Sequence, residues 1–249
     1  MRRYFSILAV AMATIFLCSC EFSSAEIPDP QRANKLLWGR VSEGLQSEYR
    51  HAQVIAHLND IMLGKAQCNA TYGECEVIHN DSIYTLDYHG SKYGAETYRV
   101  VTNGKRLDEG GEWMVYVKYG SYMQLVNIGT VKGSVGENSK FTLTTYNVDW
   151  CRYDYSVSQE SVVEYSVNEI EEVLTLTMVS ATGLNTDYLR DPSSADYTID
   201  YTLLSPLVFK GDELISGKVD IIYRSVLEQT RRTLVVEVAN KIVTFAENK

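Results

Sequence analysis

The chain has 249 residues, of which 32 are acidic and 23 are Lys or Arg, so its net charge is -9. An acidic surface of this kind disfavours nucleic acid and anionic lipid surfaces as partners. Apolar residues make up 45% of the chain, and it contains 18 tyrosines but only four prolines. This composition excludes a disordered chain and favours many uninterrupted β-strands.

The first predicted element is a secretory signal. Arg2 and Arg3 form a positive start, and an apolar run follows over residues 4–17. As a helix, this run would be about 21 Å long, which is shorter than the roughly 30 Å hydrocarbon layer of a bilayer. We therefore predict a cleaved signal over residues 1–19 and not a membrane-spanning helix.

The signal ends in Leu17-Cys18-Ser19-Cys20. These residues resemble the lipobox of bacterial lipoproteins, and the leader looks like that of Bacteroidota-type cell-envelope lipoproteins. The resemblance implies that Cys20 carries a diacylglycerol, that cleavage precedes it, and that the protein is anchored in the cell envelope, most simply at the outer membrane. Multiple acyl chains give stable anchoring. Removal of residues 1–19 leaves 21 basic and 32 acidic side chains, a net charge of -11.

After the anchor, residues 20–30 are predicted to form a polar tether and residues 31–65 a helical segment. Apolar residues recur there at helical spacing from Ala33 to Met62, and Gly64 supplies a stop. Because Gly39 and Gly44 weaken the middle, either one kinked helix or two shorter helices fit the pattern. We expect the apolar stripe to pack on a sheet, and His51 and His57 to lie at the surface or at its boundary.

From residue 76 onward the pattern alternates, with frequent turn residues, which predicts an antiparallel β domain over residues 66–249. The fold class is therefore mainly β: an antiparallel sandwich or a strongly curved sheet, with an N-terminal helix packed on it. The predicted strands cover residues 82–89, 96–102, 112–119, 122–128, 141–148, 151–157, 162–167, 173–179, 197–204, 218–223, 233–239 and 242–245.

An internal resemblance suggests a duplication. The pentapeptide that begins at Tyr84 (YTLDY) recurs as the one that begins at Tyr197 (YTIDY), and seven positions spaced from Val101 to Tyr116 match those from Val208 to Tyr223. Two related β units, over residues 76–135 and 190–249, would explain these matches. Because hairpins use few residue types, chance resemblance is the alternative.

Three cysteines remain after Cys20. In an oxidising compartment, Cys68 and Cys75 can close an eight-residue loop, which would stabilise the fold by about 2.5 kcal/mol. Cys151 is then a buried thiol, although its pairing with either of the other two stays open.

The sequence carries no phosphate-binding loop, metalloprotease helix or nucleophile elbow, so no catalytic residue, cofactor or metal ligand is predicted. Clustered Asp187, Asp191 and Asp196 match no known calcium loop, and a solvated connector over residues 181–196 is the simpler interpretation. Aromatic residues beside polar ones can form a flat recognition surface or fill the core. The ligand-binding candidates are Trp113, Trp150, Tyr116, Tyr153 and Tyr155.

These patterns favour a lipid-anchored envelope protein with a non-catalytic structural or binding role, whose partner would be a glycan or a protein. The alternative is a carrier that holds a lipid or another hydrophobic ligand between the helix and the sheet. A hydrolase of envelope or extracellular glycans ranks third. A carboxylate pair such as Asp149 and Asp154 supports the hydrolase poorly, because five residues along a strand place the two on opposite faces.

Overall fold

The computed structural model describes residues 30–65, 74–80, 82–91, 94–119, 124–152, 155–170, 173–188, 197–211, 213–225 and 229–247. The chain divides into two compact units, residues 1–36 and 37–249. The described part of the first unit is helical. The second unit contains the rest of the same helix and an antiparallel sheet, which confirms the predicted mainly β class.

The helix α1 (Pro30–Met62) is continuous over 33 residues. It begins at the proline that the sequence indicates, a position where the missing N–H donor costs nothing. Gly64 ends it with a φ of +71°, and its N–H donates to the Ile61 carbonyl over 3.0 Å. Of the two predicted arrangements, the chain thus adopts one helix, because burial of its apolar stripe outweighs the roughly 1 kcal/mol cost of each glycine.

The twelve strands of the described chain form one sheet, and their order in the sheet is their order in the sequence. Neighbours are antiparallel throughout, and the two end strands leave the sheet open. A single sheet is the second of the two predicted architectures. The strands are β1 (Glu74–Asn80), β2 (Ile83–Ser91), β3 (Gly94–Val101), β4 (Gly111–Tyr119), β5 (Val126–Gly133), β6 (Lys140–Arg152), β7 (Tyr155–Ile170), β8 (Val173–Tyr188), β9 (Tyr197–Lys210), β10 (Glu213–Ser225), β11 (Thr230–Ala239) and β12 (Ile242–Glu247).

The sheet curves around the helix. His51 and Tyr49 lie on opposite sides of α1, since two residues correspond to about 200° of rotation. His51 hydrogen-bonds Tyr98 on β3 over 3.1 Å, and the ring of Tyr49 stacks on Phe209 of β9 with centroids 4.1 Å apart. In a flat sheet, β3 and β9 would lie about 29 Å apart. Both strands can contact a helix about 10 Å wide only if the sheet wraps around it.

Burial along α1 changes at residue 48. Before it, exposed and buried positions alternate as in an amphipathic helix, whereas from 48 to 60 every residue is buried or half-buried. Glu48, His51, Asn59 and Asp60 are nevertheless among the buried residues of this second half. A fully enclosed helix is normally apolar on all sides. This helix instead carries polar groups into the interior of the sheet.

Several predicted strand boundaries are wrong. β1 was not predicted, and β5 begins at Val126, four residues after the predicted start at residue 122. The predicted strand over residues 151–157 is divided between the end of β6 and the start of β7. β8 continues to Tyr188, well into the predicted connector, because its last residues pair with β7 as far as Ser156. Long-range pairing, which local turn residues do not reveal, sets these boundaries.

The internally similar segments lie in the same continuous sheet, but their registers differ. Val101 pairs with Met114, whereas Ile221, the counterpart of Met114, pairs with Tyr201 and not with Val208. The sequence matches are therefore not reproduced in the strand pairing, and the duplication stays a prediction.

A substitution at Gly129 tests the close approach between β5 and β6. A Cβ atom at this position would overlap the carbonyl oxygen of Thr144, which belongs to the backbone and cannot turn away. We expect Gly129→Ala to lower the free energy of unfolding of the purified protein by about 2 kcal/mol or more, as measured by urea denaturation.

Gly39→Ala is the matched control. Nothing lies within 4 Å of a Cβ built at Gly39, so this change should raise the free energy of unfolding by roughly 0.5–1 kcal/mol through helix propensity. Equal effects of the two substitutions would contradict the packing described for β5 and β6.

Candidate functional site

A row of small and polar residues crosses the inner face of the sheet beneath α1. Thr145 of β6 pairs with Ser161 of β7, Ser161 pairs with Gly183 of β8, and Gly183 pairs with Tyr201 of β9. Side chains directly opposite each other on paired strands share a face. Thr145, Ser161 and Gly183 therefore present small side chains or none to the inner face, next to the large ring of Tyr201.

Tyr201 lies across the space that Gly183 leaves. A Cβ atom at Gly183 would overlap the ring and hydroxyl of Tyr201, so the ring covers the neighbouring strand at that glycine. The ring is 2% exposed. Its position directs the hydroxyl of Tyr201 towards Ser161 and the middle of the row.

Glu48 meets this row from the helix side. Its side chain is 1% exposed, and its Oε1 accepts a hydrogen bond of 2.7 Å from the Thr145 hydroxyl. Thr145 and Ser161 are also hydrogen-bonded, over 2.8 Å. Since Thr145 uses its one proton towards Glu48, Ser161 must donate to Thr145. We call Glu48, Thr145, Ser161, Tyr165 and Tyr201 the Glu48 cluster.

Tyr165 completes the cluster from β7. It is fully buried, and its ring stacks on Phe141 with centroids 5.2 Å apart. Within the described residues, its hydroxyl has no hydrogen-bond partner. Burial raises the pKa of Tyr165 well above its ordinary value, and the nearby Glu48 raises this pKa further.

The second phenol of the cluster behaves in the same way. Burial raises the pKa of Tyr201 and Glu48 adds to the rise, whereas a side-chain hydrogen bond with Ser161 acts in the lowering direction. Both phenols therefore stay protonated at physiological pH. They present neutral O–H groups beside a carboxylate, so the cluster can both donate and accept hydrogen bonds.

An aromatic wall adjoins the cluster. Tyr49 packs between Phe209 and Tyr165, whose ring centroids lie 4.1 Å and 6.5 Å from its own. The Tyr49 hydroxyl donates to the Leu176 carbonyl over 3.4 Å. These rings give the interior an apolar surface directly beside its polar centre.

His51 lies on the side of the helix opposite Tyr49. It is 3% exposed, so the expectation that it lies at the surface or its boundary is wrong. Enclosure by β3 buries it, and the burial, with a smaller contribution from Arg50, lowers the pKa of His51 to about 3. Its imidazole is therefore neutral, with Nδ1 in the hydrogen bond to the Tyr98 hydroxyl.

The remaining polar groups of α1 lie further along its enclosed half. Asn59 donates through Nδ2 to the Val135 carbonyl over 3.4 Å. His57 is half-buried, as a boundary residue should be, and burial lowers its pKa. Buried atoms of Gln53 (Oε1), His57 (Nε2) and Asn59 (Oδ1) find no hydrogen-bond partner within the described part of the chain.

The interior combines one carboxylate with four hydroxyl groups beside aromatic rings. Glu48 is the carboxylate of the cluster, and the other four members are hydroxyl groups. Across the described residues, no group of three or more His, Cys, Asp or Glu side chains is placed to hold a metal ion. The arrangement can hold a hydrogen-bonding group next to an apolar one.

The residues predicted from the sequence lie elsewhere. Trp113 is 1% exposed in the core, so an exposed recognition surface cannot use it. Tyr116 lies on the outer face, with its hydroxyl 3.6 Å from the sulfur of Met114. Outside the described residues or side chains are Cys20, Cys68, Cys75, Trp150, Cys151, Tyr153, Tyr155, Asp187, Asp191 and Asp196.

Sequence reasoning missed the whole Glu48 cluster. One available signal was Glu48 itself, which follows Leu45 by three residues and precedes Ala52 by four, within the apolar stripe of the helix. A charged residue at such a position is a candidate buried group. No comparable signal identifies Tyr165 or Tyr201, because alternating strands carry tyrosine on either face.

Comparison with known protein families, with curated proteins and with solved structures found no match. Among the described residues, no helix is both long enough and apolar enough to cross a membrane. The function is therefore inferred from the geometry of the interior and from the sequence.

The buried His51 predicts a pH dependence of stability. Its ordinary pKa is 6.5 and its pKa in the folded protein is about 3, so the unfolded chain binds the proton first. Above pH 6.5, His51 is neutral in both states and does not change the free energy of unfolding. As the pH falls from 6.5 towards 3, protonation of His51 in the unfolded chain lowers the free energy of unfolding by up to about 1.4 kcal/mol per pH unit.

His51→Gln should remove this contribution, so the difference in unfolding free energy between the two proteins should change with pH between 6.5 and 4. Urea denaturation at several pH values measures it. A difference that is independent of pH would show that His51 is accessible to protons in the folded state.

Proposed function

We propose that this protein is a lipid-anchored, non-catalytic binding protein of the cell envelope, which holds an apolar ligand between α1 and the concave face of its sheet. Of the two binding roles that the sequence favours, a carrier of a hydrophobic molecule fits the interior better than an exposed aromatic surface, because Trp113 is buried.

One observation carries the proposal: the interior contains polar atoms that the described residues do not satisfy. They belong to Gln53, His57, Asn59 and Tyr165. A buried polar atom without a partner costs about 1–3 kcal/mol, and such atoms call for a ligand or an ordered water. The Tyr165 hydroxyl lies beside the aromatic wall, and a polar group next to apolar rings is typical of a binding interior.

The open sheet supports the same role. Its end strands do not close on each other, and the enclosed half of α1 carries half-buried residues such as Arg50, Gln53 and His57 on the side opposite Glu48. A ligand could enter along this side by displacing the helix slightly. The helix would then act as a cover whose polar residues reduce the cost of moving it.

Native mass spectrometry of the full protein, released from detergent micelles, tests the ligand. We expect a co-purifying mass of lipid size beyond the chain and its own acyl groups. Ser161→Phe, which fills the inner face, should lower the ligand-bound fraction several-fold, because the added ring occupies the ligand's space.

The control is Val162→Phe, since Val162 is the next residue of β7 and is 47% exposed on the outer face. It should leave the bound fraction unchanged. A mass equal to the acylated chain alone, in gentle and in harsh release conditions, would contradict the carrier.

The anchor has its own test. Cys20→Ala should abolish labelling of the protein by a fatty acid and stop cleavage before residue 20, because the acceptor thiol is gone. Cys18→Ala is the matched control and should change neither. Continued fatty-acid labelling of the Cys20→Ala protein would contradict the lipid anchor.

A further inference from the structure

The last strand of the sheet, β12, has one side that faces away from its neighbour β11, and we call this side the outer edge. β12 is the end strand in the order of the sheet, so among the described strands none pairs with the outer edge. The pairing of β12 with β11 keeps one register along the whole strand, from Leu234 opposite Glu247 to Ala239 opposite Ile242. A regular end strand presents a row of backbone N–H and C=O groups on which another strand can pair.

The outer edge lacks the residues that usually protect such a strand. Charged side chains, lysine above all, and proline at an edge oppose pairing with another chain. Residues 242–246 (IVTFA) contain no charged residue and no proline. Ile242 is 67% exposed and Val243 is 36% exposed. The edge thus combines exposed apolar side chains with a backbone that is suited to strand pairing.

The apolar face of the sheet continues to this edge. Val243 pairs with Val238, and Phe245 pairs with Val236. Both valines of β11 are buried. Because side chains opposite each other on paired strands share a face, Val243 and Phe245 extend the inner apolar face to its border. A further strand with apolar residues at matching positions would continue this face.

The sequence of β12 is complementary to itself about Thr244. When two copies pair antiparallel with Thr244 opposite Thr244, Val243 of each copy lies opposite Phe245 of the other. An aromatic residue opposite a β-branched one is a favourable cross-strand pair. In the same register Ile242 lies opposite Ala246, so apolar residues meet apolar residues throughout. An interface between two identical strands has to match itself in this way.

The residues that flank the apolar segment add charge complementarity. Lys241 precedes β12 and Glu247 is its last residue, and both lie three positions from Thr244. Antiparallel pairing about Thr244 therefore sets a basic position opposite an acidic one at each end of the segment. Lys241 already bonds Glu213 of its own chain over 2.6 Å, but an ammonium group has three donors and can bond a second carboxylate.

We propose that two copies of this protein associate through their outer edges, with the β12 strands antiparallel about a two-fold axis at Thr244. This association does not depend on the proposed ligand. The strand has six residues and is about 20 Å long, so the interface is smaller than that of a permanent dimer. The dimer therefore forms at micromolar concentrations and dissociates on dilution.

Disulfide crosslinking of the full protein in membranes tests the register. Residues directly opposite each other on antiparallel strands have Cα atoms about 4.5–5.5 Å apart, a separation that a disulfide bridges. Under mild oxidation, Thr244→Cys should form a covalent dimer several-fold above the background from the protein's own cysteines, as measured on non-reducing gels.

Ile242→Cys is the matched control on the same strand. The axis at Thr244 places the two copies of residue 242 about 14 Å apart along the strands, so this variant should stay at background although Ile242 is highly exposed. The double variant Ile242→Cys, Ala246→Cys should form the dimer again, because these two positions lie opposite each other. Equal crosslinking of Thr244→Cys and Ile242→Cys would overturn the proposed register.

Sedimentation equilibrium of the full protein, in detergent matched to the solvent density, tests the association without a new cysteine. Thr244→Lys sets two like charges opposite each other and should raise the dissociation constant of the dimer about tenfold. The control is Thr202→Lys, since Thr202 is also exposed but lies on β9 between β8 and β10. It should leave the dissociation constant unchanged.

Three results would overturn the proposal. One is a monomer at every micromolar concentration, and another is a dimer that Thr244→Lys does not weaken. The third is a Thr244→Cys adduct with a protein of a different mass, which would show that the outer edge receives a strand of another protein and not of a second copy.

Discussion

The structure depends on the enclosure of one helix by one sheet. Every residue from 48 to 60 of α1 is buried or half-buried, and contacts from His51 to β3 and from Tyr49 to β9 require the sheet to curve around the helix. A sheet of this size with its inner face exposed would leave a large apolar surface in water. The helix supplies the cover, so the curvature of the sheet and the position of the helix determine each other.

The same enclosure explains the unusual polarity of the core. A helix that only had to fill the concavity would be apolar there, whereas α1 brings in Glu48, His51 and Asn59. Some of these groups are matched by the sheet, as Glu48 is by Thr145 and His51 by Tyr98. The Tyr165 hydroxyl has no hydrogen-bond partner within the described residues, and the ring of Tyr201 fills the space that Gly183 leaves.

Local patterns predicted the elements well and their ends poorly. The helical spacing and the stop at Gly64 placed α1 within a few residues of Pro30–Met62. Alternation identified most strands, but the long strands β7 and β8 run past their predicted ends because each supplies the other with backbone partners as far as Tyr188. Such pairing involves residues far apart in the chain, and nothing in the local sequence encodes it.

By itself, the sequence determined the class of fold, the position of the helix and the expected address of the protein, because periodicity and a short signal segment are local properties of the chain. Only the tertiary structure decided which residues form a site. Glu48 and Tyr201 are 153 positions apart, yet Glu48 acts electrostatically on Tyr201, whose ring lies across β8 at Gly183. Burial also separates Trp113, which fills the core, from Tyr116 on the outer face. The physical reason is that a side chain's environment depends on the face it occupies in the curved sheet, and the curvature of that sheet around α1 sets which face is inside.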